Sequence, residues 1–217
     1  MAAGDSVDGP GKRQVKVGAG LVAGLLMLVA ACASAPSFTP PPAVSDAFLR
    51  EMAVTKAEDG IRVSATIPSR EEARSIFGID LREQGIQPLW LEIENGREGD
   101  IYFLPTGLDP EYFAPLEVAF LYKGAYADHA ALGEHLQALN FDGRSPILAG
   151  ATVSGFVYLY AVDPSLVAQV DLIGRRWSKR FSLFVPVPGT ESAQRRIAEM
   201  QSLYAPADSI EIRSIWY

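Results

Sequence analysis

The stretch from Gln87 to Asn95 constrains the fold most strongly, because its side chains alternate along the chain. One side of an extended strand carries Leu89, Leu91 and Ile93, and the other carries Trp90, Glu92 and Glu94. A period of two predicts a strand, since successive side chains of a strand point to opposite faces. An isolated strand is not stable in water, so the chain is expected to contain a β-sheet.

A second strand and a helix are predicted just before this strand. The segment Ile61–Ile67 alternates in the same way, and Ser69 then opens a capping box with Glu72 three residues later. The helix that this motif starts is expected to end near Phe77, where Gly78 provides a C-terminal stop.

The middle of the chain is expected to contain a hairpin and two helices. A turn over residues 95–100 would return the chain as a partner strand over Ile101–Pro105. Residues 104–117 contain three prolines among aromatic side chains, which indicates a packed loop leading into a short helix from Pro115. A longer helix is predicted over Tyr126–Leu139, whose leucines recur at helical spacing.

The C-terminal third returns to β structure. A helix is expected over residues 190–203, and strands are expected over Thr152–Tyr160, Val167–Ile173, Arg180–Pro186 and Ser209–Trp216. Short strands with helices between them indicate a mainly β fold with inserted helices, in the form of an immunoglobulin-like β-sandwich. The alternative is an α+β fold, in which helices cover one face of an antiparallel sheet.

Composition restricts the partners of the folded part. Residues 33–217 contain 16 Lys and Arg against 24 Asp and Glu, which gives a net charge of −8. Nucleic-acid recognition needs a basic face, so no nucleic-acid partner is predicted. The chain has a single cysteine, so its core must form without an internal disulfide bond.

The N-terminal region has the features of an export signal. Basic residues at positions 12, 13 and 16 precede the uncharged run Val17–Ala31, which at 15 residues is too short to span a bilayer. A basic start, a short apolar run and small residues before a cleavage site are typical of a signal peptide. The run ends in Val29-Ala30-Ala31-Cys32, which resembles the lipobox of bacterial lipoproteins; the alternative is an ordinary secretory signal.

The resemblance implies cleavage before Cys32 and a diacylglyceryl thioether on its sulfur. Ala33 stands where inner-membrane lipoproteins carry Asp, which implies the outer membrane, facing the periplasm, in a Gram-negative host. The expected organisation is a signal peptide over 1–31, a lipidated cysteine with a proline-rich tether over 32–45, and a single β-rich globular domain over 46–217. Such a tether, extended as polyproline II, reaches roughly 40 Å.

Side chains suited to catalysis or metal binding are sparse. The two histidines, His129 and His135, lack the i, i+4 spacing of zinc-binding helices. The sequence places no two of Asp109, Glu111 and Glu117 in a common cleft for acid–base work. No nucleophile elbow, P-loop or dinucleotide-binding glycine pattern occurs, so we predict no enzyme activity, no metal and no cofactor.

Two regions are candidates for partner binding. The first is the loop Leu104–Glu117, which contains Asp109, Tyr112 and Phe113, although aromatic side chains also pin loops onto sheets. The second is a basic tip, which suits anionic lipid but equally describes a solvated hairpin end. The tip consists of Arg175, Arg176, Lys179 and Arg180 around Trp177.

The expected function is that of a lipid-anchored envelope protein, a non-catalytic binding or structural module with a protein partner in the envelope. One alternative is a membrane-apposed domain that contacts anionic lipid through the tip at Arg175–Arg180, and another is an enzyme of unrecognised type. The segments Trp90–Asn95 and Ala151–Tyr158 are similar to strands of uncharacterised bacterial envelope lipoproteins, a resemblance that implies no activity.

Overall fold

The computed structural model describes residues 35–109, 112–162 and 165–189, and all structural statements concern these residues. They form two antiparallel sheets with seven strands and a few helices, so the predicted mainly β fold with inserted helices is confirmed. The predicted signal peptide, Cys32, the helix over residues 190–203 and the strand over Ser209–Trp216 lie outside the described residues.

Four α-helices and seven strands follow one another along the described chain. The helices are α1 (Ala47–Met52), α2 (Arg70–Phe77), α3 (Pro115–Leu121) and α4 (His129–Leu139). The strands are β1 (Val54–Glu58), β2 (Ile61–Thr66), β3 (Ile86–Asn95), β4 (Tyr102–Leu104), β5 (Thr152–Tyr160), β6 (Ser165–Gly174) and β7 (Trp177–Pro186). Short 3-10 turns occupy Leu81–Gln84 and Pro105–Gly107.

The two sheets share one apolar core. The first sheet has the order β1-β2-β3-β5, and the second has the order β4-β6-β7. The predicted inward face of β3 is confirmed, because Leu89, Leu91 and Ile93 are fully buried against side chains of the second sheet such as Val170 and Phe181. The alternation in β2 has the same cause, since its apolar residues join this core.

The opposite face of the first sheet is covered by helices. Trp90 and Tyr158 project from β3 and β5 into a second core, where they meet Phe77 of α2 and Leu136 of α4. Phe77 and Tyr158 pack edge to face at 5.9 Å between ring centroids. The first half of β3 is therefore buried on both sides, which explains why Trp90 alternates with the core residues and is nevertheless inaccessible.

Helix boundaries follow local capping. The predicted capping box of α2 is confirmed: Ser69 Oγ accepts the Glu72 N–H at 3.2 Å, and Glu72 Oε2 accepts the Ser69 N–H at 2.7 Å. Helix α2 ends at Gly78 in the left-handed conformation, as expected. Helix α4 begins three residues later than predicted, because the carboxylate of Asp128 accepts backbone N–H groups of its first turn.

The predicted hairpin between Gln87–Asn95 and Ile101–Pro105 is wrong. Strand β3 lies between β2 and β5, so neither of its edges is free for a further partner. The chain instead crosses to the second sheet, where β4 pairs with β6. Ile101 forms an isolated bridge with Ile147 through two backbone hydrogen bonds of 2.8 and 3.1 Å.

The tether predicted over residues 32–45 is shorter than expected. Phe38 is only 7% exposed, and its ring packs edge to face against Tyr126 at 5.5 Å. The carbonyl of Pro36 accepts the N–H of Ala127 at 3.0 Å. Burial of an aromatic ring outweighs the extended preference of the prolines, so an extended spacer does not include the chain from Pro36 onward.

Candidate functional site

Helix α3 exposes apolar side chains that the described part of the chain does not cover. Pro115 occupies the first helical position, and the carboxylate of Glu117 accepts the N–H of Ala114 at 2.7 Å, which fixes the start of the helix. Val118 faces the second core and is fully buried. On the outer side, Leu116 is 67% exposed and Phe120 is 58% exposed.

Residues of the preceding loop and of strand β5 extend this exposed region. The N–H of Phe113 donates to the carbonyl of Tyr158 at 2.8 Å, and the rings of Phe113 and Tyr160 lie 4.6 Å apart. Together these side chains line a shallow groove of about 670 Å³. We call it the α3 surface, defined by its apolar and aromatic residues Tyr112, Phe113, Leu116, Phe120, Leu121 and Tyr160; Glu117 also lines the groove.

Of the three loop residues predicted to bind a partner, two lie on the α3 surface and one lies beside it. Tyr112 and Phe113 lie on the α3 surface, Tyr112 exposed and Phe113 half-buried. Asp109 lies beside it, and its carboxylate accepts the backbone N–H of Tyr160 at 3.3 Å, which ties the loop to β5. Their role in binding stays a prediction.

Sequence reasoning missed four members of the α3 surface. Leu116, Phe120 and Leu121 lie on the outer side of α3, and Tyr160 ends β5. The signal that could have identified the first three is the helix sequence Pro-Leu-Glu-Val-Ala-Phe-Leu, in which only one residue is charged. A helix without a polar face must be covered on every side or expose apolar residues to solvent.

Two of the four cations of the predicted basic tip form ion pairs with carboxylates. Lys179 contacts Asp59 and also Glu58, the latter at 2.7 Å, and these contacts raise the pKa of Lys179. Arg180 forms a two-point pair with Asp171 at 2.6 and 2.7 Å, which lowers the pKa of that carboxyl. The expectation that all four cations form one basic cluster is therefore wrong for these two.

The remaining tip residues lie beside a cleft of mixed charge. Arg175 and Arg176 are exposed in the turn between β6 and β7. Trp177 is half-buried, and the guanidinium of Arg97 lies 4.7 Å from the centroid of its ring. The cleft, about 1100 Å³, is lined by Arg97, Arg175 and Trp177 and also by Asp59, Glu98 and Asp100.

Three buried or half-buried titratable side chains contact backbone carbonyls and so link elements of the fold. Burial raises the pKa of Tyr158, whose hydroxyl donates to the carbonyl of Leu136 at 2.9 Å. Burial likewise raises the pKa of Tyr122, whose hydroxyl donates to the carbonyl of Asp80 at 2.7 Å. A ring nitrogen of His135 lies 3.0 Å from the carbonyl oxygen of Ile76, at the junction of α4 and α2.

Neither a metal cluster nor a membrane-crossing helix occurs in the part of the chain that the structure describes. Its His, Asp and Glu side chains form no group of three or more with a geometry suited to a metal ion. Its helices are all too short or too polar to cross a membrane. No protein-family model matches this chain, and no curated protein or solved structure matches it either.

Proposed function

We propose that the chain is a lipid-anchored bacterial envelope protein whose folded domain is a non-catalytic binding or structural module. Its anchor would be Cys32, at the outer membrane facing the periplasm. The observation that carries the binding role is the α3 surface, an exposed apolar region on a helix of the domain. Apolar regions of this kind on a folded domain mark contact sites for proteins or membranes.

The energetics of the α3 surface favour contact with an apolar partner. Fully burying a Leu or Phe side chain contributes about 1.5–3 kcal/mol. Leu116 and Phe120 are more than half exposed, so most of this contribution is still available to a partner. The nearest carboxylate on α3, that of Glu117, already caps the helix, so the surface offers contact rather than acid–base chemistry.

The alternative of anionic-lipid binding through the basic tip has weaker support. Lys179 and Arg180 form ion pairs with neighbouring carboxylates, whereas Arg175 and Arg176 are exposed and form no ion pair within the described residues. An attraction of about 1 kcal/mol for each basic residue near an anionic surface then applies to two residues rather than four. An enzymatic role has less support still, because the cleft beside the tip is lined by charges without an evident nucleophile.

We also propose that the two sheets form an immunoglobulin-like sandwich in architecture. Four and three antiparallel strands enclosing one apolar core support this assignment. The order β1-β2-β3-β5 differs from the order ABED of constant immunoglobulin domains, so the proposal concerns the layers and not the strand connections.

Two measurements test the proposed function. Intact mass of the N-terminal peptide from bacterial membranes is expected to show a lipid-modified Cys32, and an unmodified thiol would refute the anchor. A photo-crosslinking amino acid at Phe120 is expected to capture an envelope component in cells. The matched control is Lys56 on the exposed edge strand β1, and equal crosslinking at the two positions would refute a contact role for the α3 surface.

A further inference from the structure

We infer that the component contacted by the α3 surface is the lipid bilayer itself, so that the domain rests on the membrane with α3 facing the lipid. This inference rests on the proposed anchor at Cys32. It differs from the basic-tip alternative in the face that meets the membrane and in the chemistry, which is apolar insertion rather than ion pairing.

The length of chain between anchor and domain limits which face can approach the bilayer. Cys32 precedes Pro36 by four residues, and a fully extended chain of that length spans at most about 14 Å. The structure describes about 150 residues, and a folded unit of that size has a radius of gyration of about 15 Å, so it is several tens of ångströms across. The side of the domain that carries Pro36 must therefore lie close to the lipid.

Pro36 is held against the chain just before the start of helix α4. Its carbonyl accepts the N–H of Ala127, which lies in the loop between α3 and α4. That loop turns tightly, with hydrogen bonds of 3.0 Å from the Lys123 N–H to the Phe120 carbonyl and from the Ala125 N–H to the Tyr122 carbonyl. The attachment point is thus held against the loop that follows α3, seven residues after Phe120.

The chemistry of the α3 surface suits the boundary between headgroups and acyl chains. Leu116 and Phe120 supply apolar side chains, while Tyr112 and Tyr160 combine an apolar ring with a polar hydroxyl. The ammonium group of Lys123 lies 5.1 Å from the centroid of the Phe120 ring, on the rim of the surface. Aromatic residues and flexible cations of this kind are favoured at membrane interfaces.

The short connection also favours lipid over a folded protein partner. A partner bound to the α3 surface would have to fit between the domain and the bilayer, within the reach of four residues. Most folded domains are wider than this space. Direct contact with the lipid needs no such space and covers the exposed side chains.

The test places a fluorescent label on the α3 surface of the lipidated protein. Leu116→Cys and, separately, Phe120→Cys are reconstituted into vesicles of phosphatidylethanolamine and phosphatidylglycerol and labelled with an NBD maleimide. A lipidated Cys32 has no free thiol, so the introduced cysteine is the only reactive one. Lys56→Cys is the control, because β1 is the edge of the first sheet opposite β5. Quenching by doxyl-labelled lipid and the mass of the N-terminal peptide are measured on the same sample.

The expected result is a lipid-modified Cys32 together with at least twofold stronger doxyl quenching at positions 116 and 120 than at position 56. A modified Cys32 with equal quenching at all three positions overturns the bilayer contact and leaves the anchor intact. Labels shielded from aqueous iodide without lipid quenching also overturn it, because a protein partner, a second copy or another segment of this chain then covers the surface. An unmodified Cys32 overturns the proposed function and this inference with it.

Discussion

Replacing Asn95 by alanine is expected to lower the free energy of unfolding by about 3 kcal/mol, because its side chain ties together three segments of the chain. Asn95 is fully buried at the end of β3. Its Nδ2 group lies 2.9 Å from the Gly99 carbonyl, 3.0 Å from the Ile147 carbonyl and 3.2 Å from the Leu148 carbonyl. Its Oδ1 accepts the N–H of Arg97 at 3.1 Å.

The magnitude follows from how many of these bonds are independent. An amide has two N–H donors, so three carbonyls share two hydrogens, and the accepted bond from Arg97 makes three hydrogen bonds in all. Each contributes about 1 kcal/mol net. The carbonyl of Ile147 keeps its bond from Ile101 and that of Leu148 keeps its bond from Ala151, so the alanine variant leaves few orphaned groups.

Two further variants show whether this reasoning is correct. Asn95→Asp is expected to cost more than alanine at pH 7, since a carboxylate places acceptor atoms against carbonyl oxygens. Asn140→Ala is the control: its Nδ2 donates once, to the Phe141 carbonyl at 2.8 Å, so about 1 kcal/mol is expected. Urea unfolding followed by tryptophan fluorescence measures all three. An Asn95→Ala cost no larger than that of Asn140→Ala would refute the reasoning.

Three further outcomes are expected. Gly155→Ala should cost about 1–3 kcal/mol, because its Cβ would lie 2.6 Å from the backbone after α4, whereas Gly99→Ala, with open space, should be neutral in urea unfolding. Asp80→Asn should cost about 1 kcal/mol at pH 7, where the carboxylate pairs with two arginines of α2. Burial alone would raise the pKa of the Asp80 carboxyl, but the two arginines lower it below its usual value. The ion pairs weaken as the pH falls toward this lowered pKa, so the difference in unfolding free energy between Asp80→Asn and wild type should be smaller at pH 3 than at pH 7. Phe120→Ser should leave the thermal midpoint unchanged, whereas Val118→Ser, in the buried face of the same helix, should lower it by several degrees.

The sequence predicts local elements well where one physical rule decides them. The strand over Gln87–Asn95 alternates because one of its faces meets the second sheet, and Ser69 starts a helix because its hydroxyl accepts a backbone N–H. The hairpin after Asn95 fails because strand pairing is decided by distant residues. The side chain of Asn95 donates a hydrogen bond to the carbonyl of Ile147, about fifty residues away, and this contact holds the chain where it leaves β3.

Charge patterns are subject to the same limit. Lys179 and Arg180 form a basic run in the sequence, but the acids that pair with them lie in the turn after β1 and in β6. Asp59 precedes Lys179 by 120 residues, so only the packing of β1 beside β7 reveals the pair. A cluster of one sign in a sequence therefore indicates a charged surface only after the neighbouring strands are known.

The composition of helix α3, rather than its periodicity, predicts that it exposes apolar side chains. Its seven residues include one charge, so no polar face exists to direct it toward solvent. The fold buries Val118 and Ala119 and leaves Leu116 and Phe120 exposed. A contiguous exposed apolar patch increases the tendency of a protein to aggregate unless a partner or a membrane covers it. Pro36, four residues after Cys32, is held against the loop that follows α3, so a domain that rests on a bilayer would give these side chains the contact that the second core does not.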